Sequence, residues 1–281
     1  MHESLLYRGL RKASRVALSP IRGAGIPIGG NDAKIRGLKD RHAGKRAFII
    51  GNGPSLRIED LDRLQGEITF ACNKVYLSFD KTAWRPTYYS VVDELVAKNN
   101  RDVIAKLPLT KIMSTCVRKY FQASEADIWV WELPVRNYAR SETDEASGIV
   151  HPFSENLLVG FYGGGTVSYQ MLQMAFYMGI TEVIIIGVDF SFQLPTQTVA
   201  TGVKDSSYAT ALKSDGEVNH FHPDYRKPGE AWSIPHMPGQ IRAYRAARER
   251  YQGAGRKIIN ASRQTKLDVF PLENFDEVLA R

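Results

Sequence analysis

The sequence predicts an α/β protein with a Rossmann-like, mainly parallel sheet, helices on both faces and an inserted lid. Three observations predict it. Short apolar runs typical of buried strands alternate with helical segments from residue 47 to residue 260. The strongest strand pattern, VIIIGVDF at 183–190, is apolar throughout its first half, as in strands covered on both faces. Glycine-containing turns directly precede two helical segments, at 51–56 (GNGPSL) and 162–166 (YGGGT).

The elements follow from local patterns in chain order. Apolar runs predict strands at 47–51, 68–72, 88–92, 111–114, 128–132, 183–190 and 257–260. Apolar residues at helical spacing predict helices at 56–64, 94–105, 166–178 and 240–252. Residues 191–238 are rich in Gly, Pro, Ser, His and Tyr and break this alternation. They predict a long inserted loop or a small lid, which in compact domains is usually functional.

Charge and composition argue against several classes of protein: nucleic-acid-binding, membrane-spanning, cysteine-metal and disulfide-bonded proteins. The first 46 residues carry eleven Lys and Arg against three Asp and Glu, so the net charge of +7 belongs to this segment and the remainder is nearly neutral. A neutral body argues against a nucleic-acid partner. No apolar stretch is long enough for a transmembrane helix. Cys72 and Cys116 have neither metal-site nor disulfide spacing. We therefore expect a reduced, cytoplasmic protein.

Two units are predicted: a basic N-terminal arm with a linker at 1–46, and one catalytic domain at 47–281 with the lid at about 191–238. Within the arm, apolar residues recur at helical spacing with cations between them. The apolar positions are Leu5, Leu6, Leu10, Ala13, Val16 and Ala17, and the cations are Arg8, Arg11, Lys12 and Arg15. Such a helix either lies on an anionic membrane or docks on its own domain or a second subunit, and the sequence leaves both open. A polar linker is expected at 31–45, with ordered structure from Arg46.

Candidate ligand-binding residues cluster at the ends of strands. In the first glycine turn, Gly51 and Gly53 permit close approach of a ligand and Ser55 is expected to cap the next helix. The second turn offers a helix N-terminus that accepts anions, at Gly164, Gly165 and Thr166. Asn73, Asp93 and Asp189 each follow a predicted strand. Because the carboxyl ends of parallel strands share one edge, these residues predict a nucleotide-binding crevice.

The insert carries several imidazoles in a short stretch. His220, His222 and Tyr225 lie in NHFHPDY, and His236 follows it. This composition indicates general acid–base chemistry or phosphate contacts. A zinc site is disfavoured because no cysteine pair accompanies the histidines. A solvated loop with incidental histidines is the alternative.

Three blocks carry a resemblance to known families: GNGPSL at 51–56, FACN at 70–73 and GITEVIIIGVDF at 179–190. They resemble two related groups over about residues 46–262. One is the bacterial CMP-sialic-acid sialyltransferases of glycosyltransferase family 42. The other is the broader family of motility accessory factors and 6-hydroxymethylpterin pyrophosphokinase-like proteins. The stretch from NHFHPDY to GEAW (229–232) is more similar to the second group.

The resemblance to sialyltransferases implies roles for particular residues. Asn52 and Asn73 would hold the CMP moiety, and His236 would be the general base. Thr166 matches the first residue of a helix-opening Thr-Ser pair, and Ser168 is a candidate substitute for the second. Ser191 stands where those enzymes have a phosphate-contacting tyrosine, which weakens the case for sialic acid as the donor sugar. Tyr208 and Tyr225 are candidate replacements for it.

Three functional hypotheses follow. The first is a glycosyltransferase that uses a CMP-linked sugar of the sialic acid, Kdo or nonulosonate type to modify a cell-surface glycan or glycolipid, as in lipopolysaccharide or capsule synthesis. Its catalytic candidates are His236, His220 and Tyr225, and it requires no metal. The alternative is a 6-hydroxymethylpterin pyrophosphokinase-like transferase using ATP and Mg²⁺, with Asp93 or Asp189 as ligand candidates. The third is a non-catalytic nucleotide-binding assembly protein. The oligomeric state is left open, with a homo-oligomer among the alternatives.

Overall fold

The computed structural model describes residues 13–135, 151–194, 198–204, 210–213 and 217–281. Its strands in chain order are β1 (Arg46–Ile50), β2 (Thr69–Cys72), β3 (Tyr88–Ser90), β4 (Ile112–Ser114), β5 (Ile128–Val130), β6 (Glu132–Leu133), β7 (Phe161–Tyr162), β8 (Glu182–Ile186), β9 (Val199–Lys204), β10 (Thr210–Lys213), β11 (Ala231–Ser233) and β12 (Lys257–Asn260). Five of them form a parallel sheet in the order β12-β8-β1-β2-β3. The predicted Rossmann-like α/β class is therefore confirmed.

Helices accompany the strands along the chain. Those with both ends in the described residues are α1 (Ser19–Gly23), α2 (Gly30–Arg36), α3 (Ile58–Asp62), α4 (Glu94–Asn99), α5 (Arg101–Lys106), α6 (Val167–Tyr177), α7 (Met237–Gly253) and α8 (Phe275–Leu279). Short 3₁₀ turns lie at Val75–Ser78, Thr115–Tyr120, Ala123–Glu125 and Pro223–Tyr225. Within the described ranges, no helix has the length and apolar character needed to cross a bilayer.

Both faces of the sheet are covered, because alternate residues of each strand point to opposite sides. Ala47 and Ile49 of β1 belong to a core that includes α6 and α7. Phe48 and Ile50 belong to a second core, which includes residues of α3, α4, α5 and α8. A strand buried on both faces needs apolar residues at every position, and this is why β1 and β8 appear as continuous hydrophobic runs.

The chain order places a topological switch point between β1 and β8. From β1 the chain moves outward through β2 and β3 to β4, which a parallel bridge between Tyr89 and Lys111 connects to β3. It then returns to β8 on the other side of β1 and continues to β12. In open parallel sheets, ligands bind outside the carboxyl ends of the strands at such a point.

Some predicted elements end earlier than the sequence indicated. The strand expected at 183–190 stops at Ile186, because Gly187 adopts φ 66° and turns the chain. The helix expected at 94–105 is divided at Asn100, whose φ of −120° is not helical. These endings matter for the site, since they release Val188 and Asp189 from the sheet.

The polar linker expected at 31–45 is wrong. The segment contains α2, and Ile35 is fully buried in the core beside α6. Asn31 exchanges hydrogen bonds with the backbone of Trp129 in β5, so α2 is fastened to the sheet region. Of the two interpretations of the arm, contact with its own domain is observed where the side-chain amide of Asn156 donates to the Arg22 carbonyl at 3.0 Å and Arg15 donates to the Val159 carbonyl at 2.9 Å. Membrane contact stays a prediction, and Leu5, Leu6, Leu10, Arg8, Arg11 and Lys12 lie outside the described residues.

The described residues of the insert contain regular secondary structure, which the long-loop alternative would lack, and its role as a lid stays a prediction. Its described residues include an antiparallel sheet in the order β11-β10-β9. The sequence did not predict these strands because β10 and β11 are only four and three residues long, and all three strands contain Ala, Gly or Lys, which are depleted in strands. Tyr208 lies outside the described residues.

Candidate functional site: a cleft at the switch point

An open cleft of about 2000 Å³ lies at the carboxyl ends of β1 and β8. Both glycine turns contribute to its wall, as the sequence predicted. The predicted site residues that line it are Gly51, Asn52, Gly53, Asn73, Asp93, Gly164, Gly165, Thr166, Ser168, Asp189, Ser191, His220, Tyr225 and His236. Ser55 lies behind this surface, where it contacts Asp189. The volume exceeds that of a typical single-ligand pocket and is large enough for two substrates.

The glycines of the first turn are required by packing against the turn after β8. The backbone N–H of Gly53 donates to the carbonyl of Gly187 at 2.8 Å. A Cβ on Gly51 would lie 2.2 Å from that carbonyl oxygen, and one on Gly53 would lie 2.8 Å from the Asp189 carboxylate. The two turns therefore form one unit across the switch point, whether or not a ligand is bound.

We expect Gly51→Ala to lower the free energy of unfolding by about 3 kcal/mol, because its new methyl group overlaps backbone atoms that cannot move aside. Urea denaturation monitored by circular dichroism measures the change. Gly253→Ala is the control, since a Cβ at Gly253 meets no atom within 4 Å. Equal stability of Gly51→Ala and wild type would show that the turns are not packed in this way.

The first turn does not offer the anion site that its sequence suggested. The following helix, α3, begins only at Ile58, and its N-cap is Arg57, so Ser55 does not cap it. Instead Ser55 donates its backbone N–H to the Asp189 carboxylate at 2.7 Å and also contacts it through its hydroxyl. Burial raises the pKa of Asp189, and these hydrogen bonds partly oppose that shift. An anion at this turn would meet a carboxylate already in place.

The second turn is arranged differently. Helix α6 has eleven residues, and its N-cap, Thr166, makes no side-chain cap to the helix. The Thr166 hydroxyl contacts that of Ser168 at 2.8 Å, and Ser168 contacts the Tyr244 hydroxyl at 2.5 Å. Gln170 is 2% exposed, lines the cleft, and its Oε1 has no partner in the described chain. The N-terminus of α6, with its uncapped N–H groups and these hydroxyls, is therefore suited to a phosphate, whereas the Gln170 oxygen can only accept a hydrogen bond from a ligand.

Two asparagines provide unsatisfied acceptors in the same cleft. Asn52 donates its amide to the Cys72 carbonyl at 3.2 Å, whereas its Oδ1 has no partner among the described residues. The same holds for Oδ1 of Asn73, which adopts a left-handed backbone with φ 50°. Leaving a buried acceptor without a donor costs about 1–3 kcal/mol. N–H groups of a ligand, such as those of a nucleobase, would remove this cost.

The insert is held against these asparagines by contacts distant in sequence. The Phe221 backbone N–H donates to the carbonyl of Asn52 at 2.9 Å. Nζ of Lys74, directly after Asn73, lies 2.8 and 2.9 Å from the two carboxylate oxygens of Glu230. Both side chains of this ion pair are largely buried, at 4% and 12% exposed. The pair therefore anchors the insert to the sheet.

These contacts of the insert place His220 at the wall of the cleft, with the carboxylate of Glu217 next to its imidazole ring. His220 Nδ1 lies 2.9 Å from Oε2 of Glu217, whose side chain is fully buried, at an angle outside hydrogen-bond geometry, so the contact is an electrostatic one. The imidazole stacks on the ring of Tyr225 at 3.6 Å and 6°. Burial lowers the pKa of His220, and the Glu217 carboxylate opposes part of that shift. A carboxylate at Nδ1 favours the tautomer with a proton there, which leaves Nε2 able to accept one. Sequence reasoning missed Glu217.

The other two predicted catalytic residues have different surroundings. Nδ1 of His236 accepts a hydrogen bond from the Gly239 backbone at 3.2 Å and so caps α7. A neutral His236 in this arrangement carries its proton on Nε2. Tyr225 is 5% exposed, and burial raises its pKa well above the usual range, so its hydroxyl stays protonated.

The carboxylates of the cleft all have protein partners. Asp93 caps α4 by accepting from two backbone N–H groups, and Glu132 accepts from the Ser114 hydroxyl at 2.7 Å. Asp189 is held by Ser55 and Glu230 by Lys74, as described above. Over the described ranges, no group of three or more His, Cys, Asp or Glu side chains could hold a metal ion. Asp93 and Asp189 stay separate candidates for Mg²⁺ coordination.

A comparison with protein families gives a match over more than half of the chain. The sequence profile of the family described as 6-hydroxymethylpterin diphosphokinase MptE-like matches residues 30–194. The chain belongs to this family. The second of the two resemblances is thereby confirmed, and membership associates the chain with transferase activity. A search of curated proteins gave no match. The matched part of this MptE-like protein contains both glycine turns and Asp189, and it ends before His220.

Proposed function

We propose that this MptE-like protein is a glycosyltransferase that uses a CMP-linked sugar. One observation carries the proposal: Asn52 and Asn73, each with a buried and unpartnered side-chain oxygen, line the same cleft as the uncapped N-terminus of α6. The asparagine oxygens suit the two N–H groups of the exocyclic amino group of cytosine, and the helix N-terminus suits the phosphate. The cell-surface glycan or glycolipid acceptor would occupy the remaining volume.

The proposed reaction is a direct displacement at the anomeric carbon. The acceptor oxygen forms the new bond to that carbon while the bond from carbon to the phosphate oxygen of CMP breaks. CMP departs with the bonding electrons, and the acceptor proton passes to Nε2 of His220. The developing negative charge on the phosphate is stabilised by the N–H groups of α6 and by the hydroxyls of Thr166 and Ser168. The carboxylates of the cleft already have hydrogen-bond or ion-pair partners within the protein. This favours glycosyl transfer over a reaction that needs several free carboxylates to bind metal ions.

The family description favours a second candidate, transfer of a diphosphoryl group from ATP to a hydroxymethylpterin. The same asparagines would then contact a purine or pterin ring. Asp93 or Asp189 would hold Mg²⁺, which would neutralise negative charge on the phosphates. The third hypothesis, a non-catalytic nucleotide-binding protein, uses the same cleft without turnover.

Thermal stabilisation by nucleotides separates these candidates. We expect CMP at 100 times its dissociation constant to stabilise the protein by about 2.7 kcal/mol, without Mg²⁺. ATP should have this effect only under the second candidate, and with Mg²⁺. Screening CMP, CDP, UDP, GDP and ATP, each with and without Mg²⁺, measures it. Stabilisation by ATP with Mg²⁺ and not by CMP would refute the glycosyltransferase proposal. CMP binding without release of CMP from CMP-sialic acid or CMP-Kdo supports the third hypothesis.

The contribution of Asn73 to binding can be tested without disturbing its backbone. Asn73→Gly preserves the left-handed conformation and removes the side chain, and we expect it to weaken CMP binding about tenfold. Asp40 has a similar left-handed backbone, with φ 55°, and does not line the cleft. Asp40→Gly is therefore the matched control and should bind CMP like wild type. Isothermal titration calorimetry measures both. Unchanged affinity in Asn73→Gly would remove this residue from the site.

A further inference from the structure

Two buried glutamines on α6 differ in their hydrogen bonding. All eleven residues of this helix are buried, and Gln170 and Gln173 are 2% and 0% exposed. The side-chain oxygen of Gln173 accepts from the backbone N–H groups of Ser154 and Tyr162. Its amide nitrogen donates to the carbonyls of Tyr162 and Tyr169. In contrast, Oε1 of Gln170 has no partner among the described residues. Packing within the protein explains the amide of Gln173 but not that of Gln170.

The unpartnered oxygen of Gln170 destabilises the free protein. Burial removes its hydrogen bonds to water, and no donor of the described chain replaces them. Native proteins keep few such groups, and those that persist usually receive a partner from outside the chain. Because Gln170 lines the cleft, a ligand in the cleft can supply that partner.

Gln170 lies next to the proposed phosphate position. It is the fourth residue of α6, so it belongs to the first turn of the helix. Side chains of a helix tilt toward its N-terminus, which directs the Gln170 amide toward the turn that ends at Thr166. The terminal torsion of a glutamine is soft, so the oxygen can turn toward a ligand while the rest of the side chain stays packed.

The chemistry of this oxygen limits the choice of ligand group. A phosphate oxygen and a glutamine oxygen are both acceptors, so the phosphate itself is not the partner. The partner must carry a hydrogen-bond donor and lie within a few bonds of the phosphate that α6 would hold. A hydroxyl group of a sugar ring that is esterified to the phosphate meets both conditions.

We propose that Gln170 accepts a hydrogen bond from a hydroxyl group of a sugar esterified to the phosphate at α6, and that it thereby contributes to selection of the donor. The phosphate position rests on the proposed function. In a CMP-sugar the phosphate joins the ribose to the transferred sugar, and either ring can present the hydroxyl. Because this contact exists only with ligand bound, its loss should weaken binding without weakening the fold.

Gln170→Met tests the effect on the fold. Methionine is unbranched and adaptable, so it fills the space of the glutamine without a polar group. We expect the urea midpoint to stay unchanged or rise, since a buried acceptor without a partner is removed. Gln173→Met is the matched comparison and should lower the midpoint by about 1 M, because N–H groups of Ser154 and Tyr162 lose their acceptor. An equal fall in both variants would overturn the proposal.

Calorimetry with the same variant identifies the hydroxyl. We expect Gln170→Met to bind CMP-sialic acid or CMP-Kdo about tenfold more weakly than wild type. The same loss for CMP, but not for 2′,3′-dideoxy-CMP, assigns the hydroxyl to the ribose. A loss confined to the CMP-sugars assigns it to the transferred sugar. Tyr177→Phe is the control, since the Tyr177 hydroxyl is also buried and lacks a partner in the described part of α6 but does not line the cleft. This variant should bind every ligand like wild type.

Equal affinity of Gln170→Met and wild type for CMP and for both CMP-sugars would overturn the proposal. Binding of ATP with Mg²⁺ by wild type, without binding of CMP, would refute the glycosyltransferase assignment alone. ATP and 2′,3′-dideoxy-ATP then repeat the ribose comparison. In that case a loss of about tenfold for ATP only supports the hydroxyl contact, and equal affinities overturn it.

Discussion

Replacement of His220 by asparagine is expected to reduce release of CMP from a CMP-sugar at least about 100-fold, which is the usual contribution of a general base. Binding of CMP should change less than about twofold, because the substitution leaves the Phe221 backbone contact to Asn52 in place. CMP release by coupled assay and CMP binding by calorimetry measure the two effects. His236→Asn is the comparison variant, since asparagine can still cap α7. If only His236→Asn lost turnover, His236 and not His220 would be the general base.

The pH profile distinguishes a positioning role of Glu217 from a structural one. A general base must be neutral, so the rate rises with pH through the pKa of His220, which burial holds below its usual value of 6.5. The Glu217 carboxylate raises that pKa, so Glu217→Gln should move the rise in rate to lower pH and reduce the plateau. Asp224→Asn, beside His222 on the exposed surface, is the matched control and should leave the profile unchanged. A lower rate with an unshifted profile would make Glu217 merely structural.

Replacement of Lys74 by methionine is expected to lower the free energy of unfolding by about 3–5 kcal/mol, because it leaves the largely buried Glu230 carboxylate without its partner. The insert should also become more sensitive to limited proteolysis, since this pair connects it to the sheet. Lys257→Met is the control. Its ion pair with Glu182 is exposed, with Lys257 56% accessible, and exposed pairs contribute little. Similar losses in both variants would show that burial of the Lys74 pair has no special effect.

The effect of Lys74→Met should depend on pH. Burial raises the pKa of Glu230, but hydrogen bonds from Lys74 and from the Lys227 backbone outweigh it, and the pKa lies below the usual 4.5. A lowered carboxyl pKa stabilises the fold above the unfolded-state value, and this stabilisation is lost as pH falls through the folded-state pKa. The difference between wild type and Lys74→Met should therefore be full at pH 6–7 and shrink below about pH 4. Denaturation at several pH values measures it.

The architecture was predictable because its signals are local. Residues 47–50 and 183–186 are apolar at every position, which indicates strands buried on both faces. Gly51 and Gly187 end those two strands. Because β1 and β8 pair in parallel, the turns that follow them lie at the same edge of the sheet. The family match covers residues 30–194 and includes both turns. The arm was harder to predict, since α2 is short and mostly polar and Ile35 is its single fully buried apolar residue.

The chemistry within the cleft was less predictable. Ser55 was expected to cap a helix, but the hydroxyl contacts Asp189, 134 positions away. His236 was expected to be the base, which stays a prediction, and its Nδ1 accepts from the Gly239 backbone. In both cases the sequence identified a polar residue at the end of a strand or helix but did not predict which group its side chain contacts. The partner determines whether a side chain donates, accepts or is already engaged.

The sequence by itself determined the parallel sheet, the shared edge of the two glycine turns and the position of the insert, because hydrophobic period and glycine placement act over a few neighbouring residues. Only the tertiary structure decided that Glu217 stands behind His220, that Asp189 fills the first turn while the N-terminus of α6 stays open, and that Lys74 holds Glu230 from 156 positions away. Hydrogen bonds and ion pairs depend on distances of about 3 Å, and these are set when distant parts of the chain pack together.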